Sequence, residues 1–172
     1  MNKALNECIK VNVFYYSIDN TNKTAAISNV EPNSPTFPKN IIIPHSIEYQ
    51  SKKYVITRIL NSSFQGRSSI QTVQFAPDSK VEIIEQSAFM YSSIECITLP
   101  PHLIEIGDYV FSGCKKLKEV NIPPNSELKK IGKQAFSDTA IESLFIPSKT
   151  VKLCEGFALK TPNLNKIYVM EG

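Results

Sequence analysis

Two histidines, His45 and His102, each follow a turn proline, and a pair of imidazoles could share a metal ion or act as an acid–base couple. Neither has a third ligand at metal spacing or an orienting carboxylate beside it in the sequence, so both are expected to be exposed turn residues. Four carboxylates, Glu82, Glu85, Glu105 and Asp108, could supply a glycosidase pair if a cleft held two of them at a fixed separation. They fall between apolar positions, which puts them on a solvated surface. Cys8, Cys96, Cys114 and Cys154 are too widely spread for a disulfide scaffold and have no Cys or His partner at ligand spacing, so free thiols are expected. The six glycines are scattered singly and form no phosphate loop. No catalytic residue, metal ligand or cofactor follows from these residues, and the chain is expected not to be an enzyme.

The elements that carry these residues are repeats. Ser63-Phe64, Ala88-Phe89, Val110-Phe111 and Ala135-Phe136 each place a small or β-branched residue before a phenylalanine, at spacings of 25, 22 and 25 residues. Apolar residues recur eight before each ring (Ile56, Val81, Leu103, Leu128) and five before it (Ile59, Ile84, Ile106, Ile131). After it come Ile70, Val73 and Phe75, then Ile94, Ile97 and Leu99, then Leu117, Val120 and Ile122, then Ile141, Leu144 and Ile146. Pro77, Pro100, Pro123 and Pro147 close the copies. The first and third copies carry one extra residue after the ring together with a glycine, Gly66 and Gly113, suited to a turn of positive φ. A fifth copy fits Val151, Cys154, Ala158, Leu159, Leu164, Ile167 and Val169, with Leu159 in the phenylalanine position, Cys154 in an apolar one, and Phe157 outside the core register.

Alternation of period two in Val73–Phe75, Ile97–Leu99, Val120–Ile122, Leu144–Ile146 and Ile167–Val169 predicts one short strand per copy, ended by the proline that cannot donate to a ladder. A single coil buries too little apolar surface to offset the entropy of ordering it, so neighbours must stack, parallel strand on parallel strand and ring on ring. The pleat then turns Ile42, Gln74, Thr98, Asn121, Phe145 and Tyr168 outward as one column, with Thr72, Cys96, Glu119, Ser143 and Lys166 as a second. Gln74, Thr98, Asn121, Phe145, Tyr168, Glu119 and Lys166 are the candidate ligand-binding residues. Phe145 and Tyr168 stand out because a solvated face does not require outward aromatics; they serve either as a contact site or as cover for the last coil's edge.

The frame of an apolar residue, Ile, Ala-Phe, a further apolar set and a closing Pro resembles the BspA-like leucine-rich repeat, from Ile56 to Val169. The resemblance implies a right-handed solenoid of α/β type, mainly β, with a parallel strand ladder. It also implies a surface or secreted setting and adhesion or protein binding. Residues 1–55 are expected to form an N-terminal β-hairpin cap and residues 56–172 five repeats of one continuous domain. In the first part, Val11–Tyr16 and Thr24–Val30 pair about a turn at Asp19–Asn22, a proline-punctuated loop spans Glu31–Pro38, Ile41–Pro44 repeats a coil's strand end, and a second hairpin turns at Gln50–Lys52.

A composition that is 42% hydrophobic and 20% charged suits a globular fold, and a net charge of +3 spread over scattered Lys and Arg gives no nucleic-acid footprint. No membrane span is seen, and Met1–Asn20 hold no signal-peptide core, so a full-length chain would be cytosolic unless exported by another route. Two glycosylation triplets, Asn22-Lys23-Thr24 and Asn61-Ser62-Ser63, matter only for a secreted chain. The expected function is a binding module for a protein, or a glycan, on the strand face, with an intracellular protein–protein scaffold as the alternative. The uncovered strand at Ile167–Val169 is expected either to pair with another copy of the chain, as a homodimer through that edge, or to be where a larger protein was cut.

Overall fold

The computed structural model describes residues 7–30, 37–150 and 152–170, and among these every regular element is a strand. Two hairpins lead into the repeats. Strands β1 (Glu7–Val11) and β2 (Phe14–Asp19) are antiparallel, as are β2 and β3 (Thr24–Val30). Val11–Tyr16 is therefore not one strand, as its run of apolar and aromatic residues suggests. Asn12, at φ 55°, turns the chain there, a conformation asparagine tolerates better than most residues. The turn after β2 is held by Asp19, whose carboxylate accepts the amides of Thr21 (2.8 Å) and Asn22 (3.1 Å); those hydrogen bonds hold its pKa below the ordinary value. After β4 (Asn40–Ile43), strands β5 (Ser46–Tyr49) and β6 (Lys52–Ile59) form the second hairpin about Gln50 and Ser51, both of positive φ, as a two-residue hairpin turn demands. The expected loop at Glu31–Pro38 lies mostly outside the described residues.

Each repeat then contributes two strands. The longer ones are β7 (Thr72–Phe75), β9 (Cys96–Thr98), β11 (Glu119–Asn121), β13 (Ser143–Pro147) and β15 (Lys166–Met170). Between them lie two-residue strands, β8 (Ile83–Ile84), β10 (Glu105–Ile106), β12 (Lys130–Ile131) and β14 (Lys152–Leu153). The long strands give a parallel ladder β4-β7-β9-β11 and a separate parallel pair β13-β15. The short ones continue from β6 as a second parallel ladder, in one nine-stranded sheet with the N-terminal hairpins. This second ladder has no sequence signature of its own, because two residues are too few to display an alternation.

Between the two ladders the phenylalanines stack. Ring centroids are 4.8 Å apart for Phe64–Phe89, 5.5 Å for Phe89–Phe111 and 5.4 Å for Phe111–Phe136, with planes within 8° of parallel. Phe14 from the first hairpin meets Phe64 edge-on at 6.1 Å and ends the stack, covering the first coil as the cap must.

The last coil is one residue out of the expected frame. The amide of each ring residue donates to the carbonyl just before the next ring, Phe64 to Ala88, Phe89 to Val110 and Phe111 to Ala135; Phe136 donates to Phe157. The position equivalent to the rings is thus Ala158, and Leu159 is 47% exposed. Pairing of Ile131 with Leu153 agrees, and Cys154 moves to the place of Gly132. Positive φ marks the residues two before and two after the ring position in every coil: 62 and 66, 87 and 91, 109 and 113, 134 and 138, 156 and 160. Gly66 and Gly113 therefore fill a left-handed position that Tyr91, Asp138 and Lys160 also occupy, whatever the loop length. Val151, which the sequence put in the fifth copy, lies outside the described residues.

Cys114 is buried in this core, its Sγ donating to the Phe89 carbonyl at 3.0 Å, and burial pushes its thiol up to about 11. Folding favours the neutral thiol, so its contribution to stability is present below the unfolded thiol's pKa and is lost as pH rises towards 11. Titration of the native protein with a thiol reagent should modify exposed Cys8 first, with Cys114 protected until unfolding. Rapid reaction at Cys114 in folded protein would contradict this packing.

Candidate strand-face binding surface

The ladders position two columns of outward side chains, because successive residues of a strand point to opposite faces. In the first column Ile42 is paired with Gln74, Thr98 with Asn121, and Phe145 with Tyr168. All six are exposed. In the second, Thr72 donates through Oγ1 to Asn40 Oδ1 at 2.8 Å, Cys96 is paired with Glu119, and Ser143 with Lys166. The half-buried Cys96 thiol is raised by desolvation first and then by the charges of Glu119 and Glu95. The structure thus leaves every candidate binding residue exposed on its own strand. It splits them between the four-stranded ladder, which carries Gln74, Thr98, Asn121 and Glu119, and the β13-β15 pair, which carries Phe145, Tyr168 and Lys166.

Phe145 and Tyr168 are stacked, with ring centroids 4.6 Å apart and planes 11° from parallel, yet they remain 43% and 41% exposed. Offset stacking of this kind holds both rings in one orientation and leaves an apolar platform open to solvent. At the C-terminal end of the long strands a cleft of about 330 Å³ adjoins the face, lined by Phe75, Leu99, Pro77, Pro100, Pro101 and Pro123 together with Gln74 and Thr98. The sequence marks these prolines only as strand ends. Their recurrence at one point of each coil is the signal that they would line up into a wall.

The residues with chemical potential are engaged elsewhere. His102 lies 3.0 Å from Glu127 through Nδ1 and 3.2 Å from Lys80 through Nε2. His45 Nδ1 is 2.9 Å from the Asp78 carbonyl oxygen and 3.4 Å from its carboxylate. Carboxylates do attend both histidines, contrary to the sequence reading, because they come from adjacent coils. Glu85 is paired with Arg58 at 2.5 Å and Glu105 with Lys130 at 2.6 Å, while Asp108 accepts the Lys133 amide at 2.8 Å. Held by cations and an amide across the short-strand ladder, these three tie coils together. Glu82 and Glu85 also line a polar cleft of about 570 Å³ with Asp19, Thr57 and Arg58. Among the described residues no group of three or more His, Cys, Asp or Glu is placed to hold a metal ion, and no helix is long and apolar enough to cross a membrane. Of the two glycosylation triplets, that at Asn61 includes Ser63, whose buried hydroxyl donates to the Ile27 carbonyl at 2.9 Å.

A family model described as the BspA type leucine rich repeat region matches residues 36–165 in six copies. No curated protein sequence matches the chain. The fold is similar to that of the pneumococcal vaccine antigen PcpA, with TM-score 0.73 and 23% identity over 96% of this chain and 50% of that one. It is also similar to a leucine-rich repeat protein from Bacteroides ovatus, with TM-score 0.81 and 24% identity over 93% and 40%. A leucine rich cell surface protein from Faecalibacterium prausnitzii gives TM-score 0.53 and 18% identity over 95% and 54%. The chain spans about half the length of these proteins or less.

Proposed function

Because the chain belongs to the BspA-type leucine-rich repeat family, we propose that it is a non-enzymatic, surface-associated binding module that takes a protein ligand on its long-strand face. The observation that carries this reading is the stacked, solvent-facing Phe145–Tyr168 pair. Exposed aromatics on a rigid scaffold are the residues that dominate protein interfaces, since they bury a large area on binding and lose little side-chain freedom. Gln74, Thr98, Asn121, Glu119 and Lys166 supply hydrogen bonds and charge around that anchor. The surface setting is carried from the F. prausnitzii protein, named a cell surface protein, and from PcpA, named a vaccine antigen.

Beads coated with the protein test this against intact cells and against isolated cell-surface proteins. Replacing both anchors, Phe145→Ser with Tyr168→Ser, is expected to weaken capture by tenfold or more, about 1.4 kcal/mol at the least, whereas Lys53→Ser in the distant hairpin leaves it unchanged. Protease treatment of the target cells should abolish capture and glycosidase treatment should not. Capture indifferent to both anchors would defeat the reading, and capture lost only to glycosidase would make the ligand a glycan. The four free thiols, Cys8 exposed among them, favour a second reading, an intracellular scaffold using the same face, since reducing compartments keep thiols unpaired. Surface labelling of intact source cells separates the two.

A further inference from the structure

We infer that Lys80 is an activated lysine, the preferred site of acylation by small acyl phosphates, and that His102 and Glu127 from the next two coils activate it. This goes beyond the binding role and leaves it intact: the chain is modified once and turns nothing over.

Three successive coils contribute one side chain each. Lys80, His102 and Glu127 all stand nine residues before a stacked ring, Phe89, Phe111 and Phe136, and immediately before a fully buried residue, Val81, Leu103 and Leu128. The repeat therefore places them in one column. Buried hydroxyls fix the two outer turns, Ser79 accepting the Val81 amide at 3.4 Å and Ser126 the Leu128 amide at 3.3 Å. The Glu127 amide donates to the Pro101 carbonyl at 2.9 Å and ties its turn to that of His102. His102 is half-buried, while Lys80 and Glu127 are exposed, so the amine is open to a reagent.

The contacts settle where the protons sit. Nδ1 of His102 is 3.0 Å from Glu127 Oε1, and Nε2 is 3.2 Å from Lys80 Nζ. An ammonium only donates and a carboxylate only accepts. Both contacts are satisfied when Nδ1–H donates to Glu127 and the Nε2 lone pair accepts from Lys80. A proton on Nε2 would face the ammonium donor to donor, unless Lys80 gave up one of its own. Nζ and Nε2 thus share a single proton, and when the imidazole holds it Glu127 neutralises the new cation and Lys80 is a free amine. A nucleophile within reach of a base that a third group orients is the arrangement that activates a weak nucleophile. Lys115, Lys130 and Lys133 face carboxylates instead, which favour the ammonium; the hydrogen bond to Glu105 holds the Lys130 pKa above its ordinary value. Asp78, in the same turn as Lys80, directs its carboxylate to His45 at 3.4 Å, which leaves Glu127 as the acid on His102.

In the reaction the amine attacks the acyl carbon, the C–N bond forms and the C–O bond to phosphate breaks. Of the two protons that the ammonium loses, one passes through His102 to the departing phosphate and the other goes to water. The amide product keeps one N–H for His102 and carries no charge.

Exposed Lys53 and Lys118 serve as references within the same chain. The intact protein is treated with acetyl phosphate and the initial rate at each lysine is read by peptide mass spectrometry. At neutral pH Lys80 is expected to react at least tenfold faster than either reference. His102→Gln should bring Lys80 down to the rate of Lys53 without altering Lys53, in a protein whose circular dichroism spectrum is unchanged. The ratio of the Lys80 rate to the Lys53 rate should peak near neutrality. It falls at lower pH, where lysine and imidazole both keep their protons, and at higher pH, where every lysine becomes a free amine. A Lys80 rate no greater than those of Lys53 and Lys118, an undiminished rate in folded His102→Gln, or a ratio that does not change with pH would each overturn the proposal.

Discussion

Truncating the central ring, Phe111→Ala, is expected to lower the free energy of unfolding by about 3–5 kcal/mol, the range for removing a buried aromatic. Phe111 is fully buried and lies between Phe89 and Phe136, its plane within 8° of both. Its removal breaks two ring contacts at once and leaves a gap at an interface that holds adjacent coils together. Coils of this length bury their apolar side chains mainly against one another, so the gap cannot be closed by collapse of a separate core. Asn121→Ala, an outward residue of β11, should change stability by no more than about 0.5 kcal/mol. Urea denaturation followed by circular dichroism measures both, and comparable losses at the two positions would show that the inward and outward assignments are wrong.

Gly132→Ala is the second large effect, expected at about 3 kcal/mol or more, the severe end of overpacking. A Cβ on Gly132 would overlap the carbonyl group of Gly107 and come within 2.6 Å of the Asp108 nitrogen. Both are backbone atoms of the preceding coil, whose own Gly107 is pressed against the backbone of the coil before it. Neither can yield without separating β10 from β12. Gly66→Ala provides the contrast: nothing lies within 4 Å of the added carbon, and only its φ of +69° opposes it, at about 1–2 kcal/mol. Thermal melts should rank wild type above Gly66→Ala above Gly132→Ala. The reverse order of the two variants would mean that the short-strand ladder can open at little cost.

Four of the coils were legible in the sequence down to the residue, because each ring position is flanked by large apolar residues at fixed offsets and by polar ones between them. The last coil was not. Leu153 and Leu159 are equally apolar, and a pattern of hydrophobicity cannot tell a frame anchored on Leu159 from one anchored on Ala158. What decides is the backbone: the Phe136 amide on the Phe157 carbonyl, and the left-handed residues Gly156 and Lys160 on either side of Ala158. The same limit applied to Val11–Tyr16, where Val13 is apolar enough to hide the turn at Asn12. The candidate face was legible in its outward columns, because side-chain direction along a strand follows from the pleat alone. Its proline-lined cleft was not, since a proline's effect on its own strand is local and its alignment with the prolines of neighbouring coils is not.

The sequence by itself determined the repeat, its length, the set of residues that turn inward in the first four coils and the column that turns outward, all of which depend on the spacing of residues within one coil. Only the tertiary structure decided which residues of different coils meet. Stacking sets the Phe145–Tyr168 platform, brings Glu127 to His102 and Lys130 to Glu105, and leaves Leu153, Ile167 and Val169 exposed on the last coil. The division has one physical cause: a coil too small to bury its own apolar side chains takes its shape from local pattern, but its contacts and its exposed surface from the neighbour stacked on it.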